Sequence, residues 1–346
     1  MQWGDLLTFE YGKPVKDKSS IDGPVPVFGT NGQIGTSHLP PLCKIPSFIV
    51  GRKGAYRGVH YSDIPFSVID TAFYAMPISN KIDMKWAYYK FLTYDINRMD
   101  SGSAIPSTDR YELYKIPVDV PTICEQKKMV SILDSITNKI KVNLDINKNL
   151  EQQAQALFIS WFVDYTPFKG VKPDLWKNIS VYELAEYING ASFKKNEYAD
   201  NGLPIIKITE LKNGITDATQ YCCIEKDVKY YIDDRDILFS WSGNPDTSID
   251  TFLWSNGKAI LNQHTFRVVS KYNAPAFTFF LLKYLKPQFT HIASNKQTTG
   301  LGHVTVTDLK RLQFCADKNA IRDFNAITMP FFDMIFSNYK ENQYLS

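Results

Sequence analysis

Cysteine is scarce in this chain: five residues in 346, at positions 43, 124, 222, 223 and 315. No two form a C-x-x-C pair and none stands near a histidine pair at zinc-finger spacing, so structural zinc is not expected. The odd count without disulfide-like spacing suits a reducing compartment. Long apolar runs are missing too. No window approaches the ~18 residues of a membrane-spanning helix, and the N-terminal MQWGDLLTFEYGKPVKD has no basic segment leading into an apolar one. A cytoplasmic protein is expected. Neither sign of charge prevails: 39 Lys+Arg stand against 36 Asp+Glu, for a formal net charge of +3. A polyanionic partner would therefore be met by local basic patches rather than by a global field.

Catalytic signatures are absent as well. There is no G-x-x-x-x-G-K-[ST] loop, no G-x-G-x-x-G after a strand, no H-E-x-x-H and no G-x-S-x-G. The Asn/Asp-Pro-Pro-aromatic tetrad that amino-methyltransferases place over their target amine is missing, because Asn244-Pro245 continues as Asp246-Thr247. The histidines at 38, 60, 264, 291 and 303 are scattered and read as surface or loop residues.

What is present is 44% hydrophobic and 14% aromatic residues, enough to bury more than one core, and a long, weak internal duplication. DLLTFEYGKPVKD (5–17) faces YELAEYINGASFKKN (182–196), with Gly12 opposite Gly190, and PVPVFGTNGQIG (24–35) faces LPIIKITELKNG (203–214), with Pro26 opposite Pro204. IPSFIVGRKGAY (45–56) pairs with DRDILFSWSGN (234–244), and FSVIDTAFYAMP (66–77) with KAILNQHTFRVV (258–269). The helical WAYYKFLTYDIN (86–97) pairs with PAFTFFLLKYLK (275–286). Each copy then has a polar loop, SGSAIPSTDR (101–110) or SNKQTTGLGH (294–303), and a closing strand, YKIPVDVP (114–121) or LQFCAD (312–317).

A helical segment follows each copy. The first, from Thr122 to Trp161, carries Met129, Leu133, Ile136, Ile140, Leu150, Ala154, Leu157 and Trp161 at spacings of three and four, narrow enough for a coiled-coil seam interrupted by Asn143 and Asn147. Replacing both asparagines by Leu is expected to raise stability and loosen register. Such a helix would be roughly 60 Å long and would leave an apolar stripe in water without a partner helix. The second segment, from Asn319, carries Ile321, Phe324, Ile327, Phe331, Ile335 and Asn338, and Pro330 inside it predicts a kink or a fresh start. The economical arrangement runs the two antiparallel. The expected fold is α+β: two mixed α/β domains (1–121 and 165–317, the latter opening on a 165–178 linker) and two long helices (122–164 and a shorter 318–346) packed as an antiparallel coiled coil, in a pseudo-twofold internal repeat.

Polar loops recur at matching places and combine small residues for close approach, Arg/Lys for phosphates and Asn/Gln/Arg for base edges. Candidate DNA-contacting residues in the first copy are Asn31, Gln33, Arg52, Lys53, Tyr56, Arg57, Ser101, Ser103 and Arg110. In the second they are Lys207, Lys212, Ser240, Trp241, Ser242, Asn244, Gln263, His264, Lys296, Gln297, Thr298 and His303. Candidate seam residues are Leu133, Ile140, Asn143, Asn147, Leu150, Phe331 and Ile335. A competing reading takes Asp200, Glu210 and Lys212 as a magnesium-dependent nuclease site, although the first copy has Gly32-Gln33-Ile34 where Glu210-Leu211-Lys212 stands.

IPVDVPTICEQKKMVSILDSITNKI (116–140), the SGSAIPSTDR loop and DFNAITMPFFDMI (323–335), together with the order of elements along essentially the whole chain, resemble the specificity subunit of type I restriction–modification systems. The resemblance implies a bacterial or archaeal DNA-reading subunit with no catalytic role, no cofactor and no metal of its own. It implies double-stranded DNA as ligand, two methyltransferase subunits that bind S-adenosylmethionine, and a restriction subunit that uses ATP and Mg²⁺. It further implies a target of two half-sites around an unread gap.

Overall fold

The computed structural model describes residues 1–18, 20, 22–99, 106–297 and 300–346. The chain divides into two compact units, 1–136 and 137–346. Among the described residues no helix is long and apolar enough to cross a membrane.

Unit 1 contains β1 (Leu7–Tyr11), β2 (Val25–Gly29), β3 (Gly32–Ser37), β4 (Ser47–Gly51), β5 (Val59–Ser62), β6 (Ser67–Val68), β7 (Ala72–Pro77), α1 (Met84–Phe91), α2 (Arg110–Lys115) and the first turns of α3 (Ile123–Phe162). The strands form a four-stranded sheet, β1-β7-β4-β5, and a three-stranded one, β3-β2-β6. β4 is buried along its whole length, as its SFIVG sequence demands of a central strand. Asp83 caps α1 by accepting from the amides of Lys85 and Trp86, and the helix lays Trp86, Ala87 and Phe91 on a core with Trp3, Phe9, Phe48 and Phe73.

Unit 2 contains the rest of α3, then β8 (Lys177–Ser180), α4 (Val181–Leu184), β9 (Ala185–Asn189), β10 (Leu203–Ile206), α5 (Ile208–Asn213), β11 (Tyr221–Cys222), β12 (Tyr231–Ile232), β13 (Ile237–Ser240) and β14 (Ser242–Gly243). There follow α6 (Pro245–Ser248), β15 (Asp250–Leu253), β16 (Ala259–Leu261), β17 (Thr265–Ser270), α7 (Pro275–Tyr284), α8 (Lys286–Asn295), β18 (Gly302–His303), α9 (Val306–Arg311), β19 (Gln313–Ala316) and α10 (Lys318–Leu345). Its main sheet, β9-β17-β13-β15, repeats the order of β1-β7-β4-β5.

The duplication holds at the level of single backbone bonds. Tyr11 pairs with Phe73 and Asn189 with Phe266; Phe28 pairs with Val68 and Ile206 with Leu261, both in parallel. Lys13 N donates to Val68 O (2.8 Å) and Ala191 N to Leu261 O (2.7 Å); Ile69 N donates to Phe28 O (2.9 Å) and Asn262 N to Ile206 O (3.0 Å). The paired glycines have one physical reason. A Cβ on Gly12 would stand 2.0 Å from Ile69 O, and one on Gly190 2.2 Å from Asn262 O, so only hydrogen fits at either crossing.

Several expectations are corrected. The first copy's closing segment 114–121 is no strand: α2 occupies its beginning, and only Pro117 bridges Gln2, whereas β19 pairs along its length with β8. Where the first copy turns from β2 into β3, the second runs from β10 into the helix α5, and α8 fills the chain between the helical block 275–286 and the start of the polar loop 294–303.

α10 runs unbroken through Pro330, because Phe324 and Thr328 before it and Phe332 and Ile335 after it are buried on one face. No fresh start occurs.

α3 and α10 run antiparallel, pairing from Lys139 with Glu341 to Trp161 with Phe324. Asn143 Nδ2 donates to Glu341 Oε2 and Asn342 Oδ1 (both 2.8 Å), Asn338 Nδ2 to Asn147 Oδ1 (2.7 Å), and Asn147 Nδ2 to Ile335 O (3.3 Å). Both Asn143 and Asn147 are buried. Ile140, Leu150, Phe331 and Ile335 are buried or half-buried, but Leu133, Met129 and Ile327 are exposed. Fully buried on the two helices are the expected Ala154, Phe324 and Ile335, joined by Phe158, Thr328 and Phe332, which the three-and-four stripe did not include.

Candidate nucleic-acid interface

In each unit four chain segments meet at the same end of the main sheet. They are the end of the first strand (β1 or β9), the chain leaving the central strand (β4 or β13), the loop before the next strand (69–71 or 262–264) and the segment before α2 or α9. Backbone bonds fix them alike. Arg52 N donates to Thr71 O (2.9 Å) and receives Thr108 N at its carbonyl (2.8 Å); Trp241 N donates to His264 O (3.4 Å) and receives Val304 N (2.8 Å). Lys53 bridges Ser107 as Ser242 pairs with His303.

In unit 1 two guanidinium groups approach the exposed Tyr11 ring, Arg52 at 4.8 Å and Arg110 at 4.7 Å from its centroid. Arg52 Nη1 donates to Asp70 O (3.0 Å), and Arg110 donates to Phe9 O (3.2 Å) and the Tyr111 hydroxyl (3.3 Å). Lys53 and Tyr56 are exposed beside them, as are Asn31 and Gln33 on the β2–β3 turn. The Asn31 amide, in the orientation that satisfies it, donates to the carbonyls of Thr30 and Tyr56 and so braces the turn.

In unit 2 the positions of Tyr11 and Arg52 are taken by Asn189 and Trp241, whose indole Nε1 donates to Asn189 Oδ1 (3.1 Å). The Trp241 ring leans on His264 and Phe266, 5.7 Å from each centroid. Gln263 and His264 are exposed, with Gln263 Nε2 3.4 Å from His264 Nε2. A recess beside them is lined by Phe193, Tyr198, Lys207, Ile208, Thr209 and Asn262. Lys207 sits over the Tyr198 ring and donates to Gln220, and Lys212 is exposed on α5.

Other candidates are engaged elsewhere. Arg57 is buried at 1% exposure, and its Nη2 and backbone N donate to Asn97, so it braces the loop from within. Ser240 is buried on the central strand and faces no solvent. Asn244 caps α6, accepting from the amides of Asp246 and Thr247. Lys296 donates to both carboxylate oxygens of Asp308 (2.6 Å each). Burial raises that carboxyl, but the Lys296 and Thr305 hydrogen bonds outweigh it and hold it below the usual range. Gln297 is exposed and His303 half-exposed; Ser101, Ser103 and Thr298 lie outside the described residues.

The nuclease reading fails on Glu210, which is buried and spent as a cap, accepting from Lys207 N (3.0 Å) and the Thr219 hydroxyl. Among the described residues no three His, Cys, Asp or Glu side chains gather as metal ligands. Sequence reasoning missed Tyr11, Asp70 and Asn189. The Gly12–Gly190 alignment itself places Tyr11 opposite Asn189, one residue earlier, and was the available signal.

The profile of the type I restriction modification DNA specificity domain matches residues 4–152 and 173–315, one copy in each half of the chain. The MjaIX specificity subunit, from a type I restriction enzyme of Methanocaldococcus jannaschii, is 23% identical over 292 residues, 74% of this chain and 64% of that subunit. The HindI specificity subunit of Haemophilus influenzae is 43% identical over 71 residues, 20% of this chain and 15% of its own length. Thus the chain spans less than two thirds of each of these relatives. The crystal structure of a type I restriction–modification S subunit from M. genitalium shares the fold at 14% identity, with a TM-score of 0.60 over 100% of this chain and 92% of that one. With the specificity domain present twice, in register, this chain belongs to the type I restriction–modification DNA specificity family.

Proposed function

We propose that this chain reads a bipartite double-stranded DNA target, one half-site per unit, and performs no catalysis itself. The observation that carries the reading is the repetition of one backbone framework around different exposed or half-exposed side chains: Tyr11, Arg52, Lys53 and Asp70 in one unit, Asn189, Trp241, Ser242 and Gln263 in the other. A constraint of fold alone would repeat the framework and leave the exposed positions free to be bland. Reading two sequences requires the framework to repeat and the side chains to differ.

Lys53, Lys207 and Lys212 suit phosphates, where a point charge suffices. Two methyltransferase subunits carrying S-adenosylmethionine and a restriction subunit using ATP and Mg²⁺ would supply the chemistry, in the cytoplasm of a bacterium or archaeon. The length of α3 would set the unread gap. Methylome sequencing of cells expressing the chain with its methyltransferase subunits tests this. A methylated motif of two defined halves around a fixed gap is expected; one contiguous motif, or methylation unchanged by the chain, would refute it.

A further inference from the structure

Both units offer the same place in the fold for base reading, yet they equip it with different donors and acceptors, and this fixes a chemistry for each half. In unit 1 the side chain that leaves the central strand at that place is Arg52. Its guanidinium is held twice, by stacking on Tyr11 at 4.8 Å and by the bond from Nη1 to Asp70 O. Nε and Nη2 have no partner among the described residues, so a fork of N–H groups is presented in a fixed plane. Arg110, the second cation at the Tyr11 ring, has its Nη1 and Nη2 engaged with Phe9 and Tyr111, which makes it a brace for the ring rather than a reader.

In unit 2 the corresponding Trp241 has one donor, Nε1, and Asn189 takes it. The reading position therefore passes to the next segment. There the exposed Gln263 keeps its Oε1 without a partner among the described residues and has an Nε2 hydrogen to spare. An amide with both an acceptor and a donor available matches the N6 and N7 edge of adenine; a guanidinium fork, which has only donors, matches the N7 and O6 edge of guanine.

Resting on the bipartite reading above, we propose that unit 1 recognises a guanine through Arg52 and unit 2 an adenine through Gln263. The two residues are the specificity-determining side chains of the two half-sites. Arg52 is prearranged by Tyr11 and Asp70, so little side-chain freedom remains to be lost on binding. Gln263, exposed and in contact with His264, is ordered by its base.

The test uses the chain assembled with its methyltransferase subunits and a duplex library randomised in both halves. Arg52→Ala removes the guanidinium fork; Gln263→Ala removes the amide. Each is expected to lower discrimination at a single base pair of one half by about tenfold or more, the value of one bidentate contact, and to leave the preferences of the other half in place. In Arg52→Ala the weakened preference should be at a guanine, in Gln263→Ala at an adenine. If the wild-type complex selects two halves but either variant keeps its preference, or the lost base is of another kind, the assignment is overturned while the bipartite reading survives. If the wild-type complex selects no bipartite target, the bipartite reading itself fails, and the assignment with it. Retained preference at the guanine in Arg52→Ala, with affinity lowered alike for all sequences, would identify Arg52 as a phosphate contact only.

Discussion

The chain leaving β4 in unit 1 carries a cation stacked on an exposed tyrosine, and the chain leaving β13 in unit 2 carries a tryptophan tied to an asparagine. Beneath them the two units agree to the individual backbone bond, including a glycine at the same strand crossing. The difference teaches which constraints belong to the fold and which to the ligand. Backbone bonds and the buried face of the main sheet are duplicated; the side chains at its open end are not. Support below that end differs as well. The unit 2 core recruits Ala154, Phe158 and Phe162 from α3, while the unit 1 core is closed by Trp3 against Trp86 and Phe91.

The comparison can be broken first at its glycines. Gly12→Ala and Gly190→Ala each push a methyl group into a backbone carbonyl that cannot swing aside. Each is expected to cost at least about 3 kcal/mol, the upper end of ordinary overpacking. Thermal unfolding would check this, and a large loss from only one of the two would show that the crossings are not equivalent.

A second test concerns the asparagine ladder. The sequence suggested that Leu at 143 and 147 would stabilise the seam. The structure reverses that sign, because Asn338 and Asn342 donate to and accept from these two residues and would be left buried without them. The double variant should lose about 2 kcal/mol, and extending the substitution to Asn338 and Asn342 should recover most of it. Chemical denaturation of the two variants would decide.

The smallest effect distinguishes the sheet edges. Asp250 on β15 faces Lys283 and Lys286. Burial raises its carboxyl, but the Lys283 charge and the Lys286 hydrogen bond draw it down further, so its net shift is below the ordinary value. A depressed pKa in the folded state means a contribution fully present above the unfolded value of about 3.9 and lost as pH falls through the folded one. Asp250→Asn should therefore cost on the order of 1 kcal/mol at neutral pH. The gap to wild type should hold down to about pH 4 and close below it, as followed by denaturation at several pH values. A gap independent of pH would mean that the ion pairs contribute nothing.

Much of this was legible in the sequence. Pro26 opposite Pro204 and Gly12 opposite Gly190 gave the correct register, since a duplicated backbone keeps those residue types wherever their φ or their missing Cβ is required. The antiparallel helices followed from a narrow stripe, although Leu133 and Ile327 lay on its wrong side: three-and-four spacing admits neighbouring stripes, and only packing decides between them. The site was less legible. Arg57 and Lys296 look like phosphate contacts by composition, and tertiary partners far along the chain, Asn97 and Asp308, take them inward. Glu210 likewise resembles a metal ligand until its cap to Lys207 is seen.

The central claim is that the two units read DNA separately on one shared framework. Exchanging residues 1–121 for those of a relative with a different target, and sequencing the methylated motif made by the hybrid with its methyltransferase subunits, tests it most directly. The account predicts that one half of the motif changes to the relative's while the other half and the gap stay as they were. A change in both halves would contradict it.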